Sequence, residues 1–387
     1  MRIVHVAPRF PPAIGGMENH VYAVSTELKK RGHKVTVITS DDIDEKGKDS
    51  VRQTEVMNGV EVYRHALFFR KTMREYWFLS DITAILSKLK PDVVHAHGYR
   101  CLSSCITAYW CRKNRIPVVF TPHGIYPPRS FINHLVKTVY DHSFGNLLFR
   151  SSNKIVALTD HNRRLLLKLG APKDRIMLIP NGVNVDEFNK TKQRNKKKPE
   201  EQSDDPVLLY VGRIDWNKGL ERVIEALPDL RKSFDHIKFL IVGPDYADHS
   251  ENLLALAREL GVSESVVMTG EVSEEQKSFY YSVADAFVLP AIYEGLSLSL
   301  LEAMASSLPI VVTKNGSGGI LVDGVHALLM NDCSAQEISG LVSMILTDPR
   351  VAERIGKNAF DLVLKEFSWG RVVDKIEGLY SEACNGS

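Results

Sequence analysis

The chain reads as an α/β protein of two doubly wound, Rossmann-like parallel-sheet domains, and three observations carry that reading. Short β-branched runs alternate with apolar patterns at helical spacing along both halves of the 387 residues, and such alternation implies a parallel sheet covered on both faces. A polar stretch, 189–205 (NKTKQRNKKKPEEQSDD), contains almost no apolar residue, so it cannot help bury a core and divides the chain. The apolar share of 44% against 25% charged residues is that of folded cores, and the length suits two or three domains.

The elements follow in order. Arg2–Ala7 is a strand, and Val21, Val24 and Leu28 then recur at i, i+3, i+7 until Arg31-Gly32-His33 stops the helix. Val35–Thr39 is the next strand. Ile82, Ile85, Leu86 and Leu89 mark a helix that ends before Pro91, and Val93–Ala96, Val118–Thr121 and Ile155–Thr159 read as buried strands. Beyond the polar stretch the pattern restarts with strands Val207–Val211, Phe239–Val242, Val266–Met268, Ala286–Leu289 and Ile310–Thr313. Helices Leu220–Leu227, Leu253–Leu260, 274–282 and 297–305 alternate with them. The expected domains are 1–188 and 206–365, with 189–205 as linker or exposed loop and a C-terminal helix at about 366–387 packing back on the first. Open sheets of this kind bind ligands outside the carboxyl ends of their strands, and two of them facing each other would enclose a cleft.

Five cysteines, at 101, 105, 111, 333 and 384, form an odd set with no C-x-x-C, which excludes a disulfide framework and a zinc knuckle and suggests a reducing compartment. The opening MRIVHVAP lacks the layout of a leader, and no apolar stretch approaches the roughly 20 residues of a membrane span. A cytoplasmic location is expected. The net charge of +2 conceals an asymmetry: 1–188 carry 28 basic and 17 acidic residues, +11, whereas 206–387 carry 15 and 26, −11. The two halves are expected to meet different surfaces. The lysines of 189–205 suit a solvated linker, and no nucleic-acid partner is expected.

Chemistry is sought at the strand ends. Residues 11–16 (PPAIGG) sit between the first strand and the first helix, where Gly15 and Gly16 would let backbone N–H groups approach an anion at the helix N-terminus. No G-x-G-x-x-G occurs, which argues against a nicotinamide or flavin dehydrogenase. The corresponding loop of the second half, Gly212-Arg213-Ile214-Asp215-Trp216-Asn217-Lys218-Gly219, brings a guanidinium and an ammonium to one helix N-terminus, an arrangement that suits a diphosphate. Glu294 lies in a loop after a strand and Glu302 in the helix that follows, about 12 Å apart if helical rise applies throughout. That exceeds the roughly 5–9.5 Å of a carboxylate pair working on one glycosidic bond and suits two ends of one elongated ligand. Glu302 stands among Leu301, Ala303 and Ala305, where an unpaired carboxylate would be costly to bury. His97 and His123 end strands of the first half, with His95 deeper on the same face as His97, and Gly124 would admit a ligand close to His123. No histidine group shows metal-ligand spacing with carboxylates or thiols, so no metal is expected.

These residues resemble the retaining glycosyltransferases of family 4, which have the GT-B fold of two Rossmann-like domains. The similarity runs through PPAIGGMENHVYAVSTELKKRGHKVTVIT, PDVVHAH, TPHG, IPNGVNVDEF, VGRIDWNKGL, ADAFVLPAIYEGLSLSLLEAMA and FSW. By that resemblance Arg213 and Lys218 hold the donor diphosphate and Glu302 binds the nucleotide ribose. Glu294, with the N–H groups of Gly295 and Leu296, grips the donor sugar, Gly16 approaches the phosphates, and His123 lies beside the reacting sugar. The resemblance implies transfer of a hexose from a UDP- or GDP-sugar to an acceptor hydroxyl by front-face attack, without a divalent ion. Two departures stand out: Ser306-Ser307-Leu308-Pro309 has serine in the glycine place of x-G-x-P, and Gly316-Ser317-Gly318-Gly319-Ile320 lacks the glutamate of GG-x-P-E.

Acceptors bind the first domain in this fold, so its positive charge implies an anionic or lipid-linked acceptor. Residues 65–79 (HALFFRKTMREYWFL) interleave five aromatic rings with three bases, a pattern suited to peripheral contact with the inner membrane face; a helix with an apolar core face is the ordinary alternative. A sugar-nucleotide epimerase on the same fold and a noncatalytic nucleotide-sugar-binding protein are the competing functions.

Overall fold

The computed structural model describes residues 1–13, 15–41, 54–65, 81–125, 131–189, 205–245, 248–292 and 296–385. The chain forms two compact units, Met1–Asn181 with Trp369–Ser387, and Gly182–Ser368.

Among the described residues the first unit holds eight strands: β1 (Arg2–Val6), β2 (Lys34–Ser40), β3 (Thr54–Met57), β4 (Val60–His65), β5 (Val93–His97), β6 (Val118–Thr121), β7 (Lys154–Ala157) and β8 (Ile176–Leu178). They lie in the order β3-β4-β2-β1-β5-β6-β7-β8. Every pair is parallel except β3–β4, a hairpin whose two turn residues, Asn58 and Gly59, both have positive φ (46° and 79°), as a type I′ turn requires. The central strands are buried on both faces: Ile3, Val37, Val93 and Val119 pack on one side, and Val94, Val118 and Phe120 on the other. The C-terminal helix runs Trp369–Asn385 and belongs to this unit. Its Val372, Val373, Ile376 and Tyr380 are fully buried in the same cluster as Val21, Val24 and Leu28 of the helix Gly16–Lys30, and each apolar side chain so buried stabilises the unit by about 1.5–3 kcal/mol.

The second unit holds β9 (Val207–Val211), β10 (Lys238–Val242), β11 (Val266–Gly270), β12 (Ala286–Leu289), β13 (Ile310–Thr313) and β14 (Leu328–Met330), all parallel, in the order β11-β10-β9-β12-β13-β14. The order reverses between β9 and β12, so ligands are expected outside the carboxyl ends of those two strands. In the first unit the same reversal falls between β1 and β5.

The division of the chain corrects the boundaries expected from composition. The chain passes into the second unit at Gly182, not at the polar stretch, because Val183, Val185 and Phe188 are apolar and join the second core. Val183 N–H donates to the Phe367 carbonyl at 2.8 Å, and Val183 pairs with Ser368 beside the point where the chain leaves that unit. Residues 190–204 lie outside the described residues, as do 66–80. Ser307, the serine in the glycine place, takes a left-handed φ of 51°, a conformation that costs a residue with a Cβ roughly 1–2 kcal/mol.

Candidate functional site

At the carboxyl end of β9 the backbone is bound tightly. Gly212 N–H donates to the Val242 carbonyl at 2.9 Å, Ile214 N–H to the Pro244 carbonyl at 2.9 Å, and the Tyr210 hydroxyl to the Arg213 carbonyl at 2.8 Å. Asp215 caps a single 3-10 turn over Trp216–Lys218, and the helix Leu220–Leu230 starts directly after Gly219. Gly219 has φ 66°, and a Cβ there would fall 2.6 Å from the Pro290 carbonyl oxygen. Only glycine lets the loop after β9 come so close to the loop after β12. The Asn217 carbonyl accepts from Ile292 N–H at 2.9 Å and locks the same junction. The expected Arg213 is held by its backbone while its side chain is exposed, and its guanidinium has no ion pair among the described residues. Lys218 lies half-buried five residues on, at the helix start.

The loop after β12 is fastened from β13 and beyond: Thr313 Oγ1 donates to the Ala291 carbonyl at 2.6 Å and Asn315 Nδ2 to the Ile292 carbonyl at 3.0 Å. Glu294 and Gly295 lie outside the described residues. Leu296 is buried, and the helix Leu298–Ala305 presents Glu302, 7% exposed.

Glu302 is not the unpaired carboxylate its apolar neighbours in sequence suggested. Lys277 Nζ lies 2.7 Å from one of its oxygens and the Tyr281 hydroxyl donates to the other at 2.8 Å. Both partners come from the helix Glu274–Val283, one turn apart, and that helix is fixed by a capping box between Ser273 and Gln276. Burial works against the charge of Lys277, but Glu302 and Glu274 outweigh it and hold its pKa above the ordinary value; burial and Glu302 push Tyr281 well up. The carboxylate is therefore paired and oriented, and each oxygen keeps a second lone pair for a ligand hydroxyl. Replacing Lys277 with methionine is expected to cost on the order of 3 kcal/mol in urea unfolding, because a charge is left without its counter-ion, and Glu302→Gln added to it should recover most of the loss. A cost under about 1 kcal/mol would mean that the pair is solvated.

In the first unit, Gly15 follows β1 and Gly16 opens the first helix, with the Glu18 carboxylate packed against Gly15. Gly15 is in extended backbone, and a Cβ there would strike the Glu18 carboxylate. Glu18 is 4% exposed and accepts from Arg9 Nε at 2.7 Å. Close approach of Glu18 thus explains glycine at 15 without a ligand. The strand end is held from below by Arg64, 1% exposed on β4, which pairs with Glu55 at 2.6 Å and donates to the Pro11 carbonyl.

Five histidines converge beneath the same sheet end, a feature that spacing along the sequence did not reveal. The parallel register sets His5 of β1 beside His95 of β5. His5 Nδ1 is 2.9 Å from His97 Nε2, and His97 Nδ1 is 2.9 Å from His123 Nε2. His95 is held by the Tyr380 hydroxyl at 2.7 Å and Thr121 Oγ1 at 2.8 Å, and His20 Nδ1 by Asn181 Oδ1 at 3.0 Å. Burial lowers all five, His5 to about 3 and His20 to about 4, with His95, His97 and His123 well below the usual range. Ring nitrogens of His5, His95 and His97 lie within 4.8 Å of one another, close enough to hold a metal ion. Both nitrogens of His95 are already bonded, however, and the His5–His97 separation is that of a hydrogen bond. The expectation of no metal gains nothing from the first half either: one D-x-D triplet, Asp42-Ile43-Asp44, occurs there and lies outside the described residues.

Two doubly wound parallel sheets, the second carrying basic residues at its reversal point, make this a GT-B fold, and solved structures share it. One is Anabaena HepE in complex with UDP, with a TM-score of 0.77 at 16% identity over 99% of this chain and 100% of that one. Both halves match family models: Glycosyltransferase Family 4 over residues 14–187 and Glycosyl transferases group 1 over 191–361. The chain belongs to glycosyltransferase family 4. It is 28% identical to an uncharacterized glycosyltransferase of Methanocaldococcus jannaschii, over 99% of this chain and 98% of the relative. It is 27% identical to the glycogen synthase of Mycobacterium tuberculosis, over 100% and 96%. Among the described residues no helix is long and apolar enough to cross a membrane.

Proposed function

We propose that this glycosyltransferase is a retaining, metal-independent hexosyltransferase that takes its sugar from a UDP- or GDP-sugar. The observation that carries the reading is the junction at β9 and β12, where Arg213 and Lys218 flank a helix start immediately beside the loop leading to Glu302. Arg213 and Lys218 neutralise the departing diphosphate, the largest charge that develops in the reaction. Glu302, oriented by Lys277 and Tyr281, accepts from the ribose hydroxyls. Glu294 and the N–H groups of Gly295 and Leu296 hold the sugar, Gly16 meets the phosphates, and His123 stands beside the reacting carbon. Binding energy from the nucleotide is converted into orientation of the sugar toward the acceptor.

The acceptor is anionic or lipid-linked, a reading supported by the +11 charge of residues 1–188 and the aromatic-basic run at 65–79. The comparisons give the epimerase alternative no support. One experiment tests donor and acceptor together. UDP, GDP and ADP are titrated calorimetrically in chelator, and the radiolabelled sugar of the nucleotide that binds is then offered with a membrane lipid extract. Selective binding of UDP or GDP, weakened at least tenfold by Glu302→Ala, and label in the organic phase are expected. Binding that needs a divalent ion, or none at all, would sink the donor assignment; label confined to water-soluble product would sink the lipid acceptor.

A further inference from the structure

We propose that His97 and, behind it, His5 are positioning residues that hold His123 as a neutral Nδ1–H tautomer, so that a hydrogen-bond donor is what His123 offers a ligand. The proposal rests on the reading of His123 as the group beside the reacting sugar, and it concerns which atom of that ring carries the proton.

The geometry allows few alternatives. His5 and His97 are fully buried, on the adjacent strands β1 and β5, and His123 is partly exposed, two residues past the end of β6. His123 takes a left-handed φ of 58°, a strained backbone for a bulky residue. The turn is held there by Tyr99 N–H to the Pro122 carbonyl at 3.1 Å and Gly98 N–H to the Thr121 carbonyl at 2.9 Å. In that position Nε2 of His123 reaches His97, and Nδ1 has no partner among the described residues.

A neutral imidazole has one N–H and one lone pair. Three neutral rings joined by two hydrogen bonds therefore have two consistent arrangements: every ring protonated on Nδ1, or every ring protonated on Nε2. The far end of the chain decides between them. His5 Nε2 is buried and has no hydrogen-bond partner among the described residues. Protonation on Nε2 throughout would leave a buried N–H there without an acceptor, and orphaned buried donors are rarer than under-satisfied acceptors. Protonation on Nδ1 leaves only a lone pair. His5 then donates to His97, His97 donates to His123, and His123 keeps its own proton on Nδ1. His20, whose ring meets His123 edge-on at 4.9 Å, has the same pattern: Nδ1 donates to Asn181, and its buried Nε2 is a lone pair without a partner among the described residues.

Nitrogen-15 NMR of the histidine-labelled wild-type protein reads the tautomer without any substrate. Protonated-type shifts for Nδ1 and unprotonated-type shifts for Nε2 of His5, His97 and His123 are expected; the reverse assignment in His123 overturns the proposal, as does stoichiometric zinc or copper in the purified protein. Two variants add the functional readout. His97→Asn places an amide where Nδ1 was and can still donate to His123, whereas His97→Gln reaches toward His5 and loses His123. Turnover is expected to fall about a hundredfold in His97→Gln with donor KM unchanged, and to stay within about tenfold in His97→Asn. If only the volume of the side chain matters, glutamine will be the milder change, and the proposal is wrong. Unchanged turnover in His123→Ala would refute the catalytic placement of His123 while the NMR assignment still judges the tautomer.

Discussion

Arg213→Ala is expected to lower turnover by about a thousandfold or more while leaving urea-unfolding stability within about 0.5 kcal/mol of the parent. The two halves of that expectation have separate causes. The side chain is exposed and has no ion pair among the described residues, so its removal breaks nothing that the fold depends on. The loop does not need it either, because the backbone around it is held by Gly212 N–H, Ile214 N–H and the Tyr210 hydroxyl. In the reaction, by contrast, the guanidinium is assigned to the leaving diphosphate. Fixed cationic donors at transferring or departing phosphates are worth about 10³–10⁵ in rate where they have been removed. Arg213→Lys keeps the charge but loses the planar fork that pairs with two phosphate oxygens, so an intermediate loss is expected. Initial rates with the donor identified by titration, beside urea curves for each variant, make the test. A folded Arg213→Ala protein with ordinary turnover would remove this residue from the diphosphate site and with it the main support for the donor assignment.

How far such a site can be read from sequence depends on whether its parts are neighbours along the chain. Strands buried on both faces, such as Val207–Val211 and Ala286–Leu289, are continuous apolar runs, and their positions were legible to within a residue or two. The β3–β4 hairpin was overlooked although Asn58-Gly59 is a strong turn signal, because Thr54–Met57 alternates between partly buried and exposed positions and lacks a marked apolar face. The boundary at Gly182 was hidden by the polar stretch that begins seven residues later, because the short apolar segment before it, Val183 to Phe188, already belongs to the second core. Arg213 and Lys218 were legible because one loop carries both. The partners of Glu302 were not, since Lys277 and Tyr281 come from a helix about 20 residues upstream and meet it only through packing of two helices. The histidines are the clearest case. His5, His20, His97 and His123 have no common spacing, and the strand order β1-β5-β6 is what gathers the rings.

That gathering carries a cost which should appear as acid sensitivity of the first unit. Five histidines whose pKa values are lowered by burial refuse protons that the unfolded chain accepts below about pH 6.5. Above that pH the rings are neutral in both states and contribute no pH dependence. Below it the unfolded state binds more protons, so stability falls with falling pH by about 1.4 kcal/mol per pH unit for each ring that stays neutral, until its folded pKa, about 4 for His20 and about 3 for His5, is reached. Summed over five rings, the loss at pH 5.5 is about 7 kcal/mol, comparable to the whole stability of an ordinary domain. Carboxylates held low by ion pairs, Asp92 with Arg2 and Glu377 with Arg31, add to acid sensitivity only nearer pH 4. The window from pH 6.5 to 5 therefore belongs mainly to the histidines, with half-buried His65 lowered as well and Glu187, raised by burial in the second unit, acting with the opposite sign. Among the described residues the second unit buries no histidine, so its amides should outlast those of β1, β5 and β6. Urea unfolding from pH 7.5 to 5.5, with hydrogen exchange to locate the loss, should show an uptake of about three to five protons on unfolding at pH 5.5. An uptake below about two would mean that water or charge reaches these rings in the folded protein, and the neutral chain from His5 to His123 would fall with it.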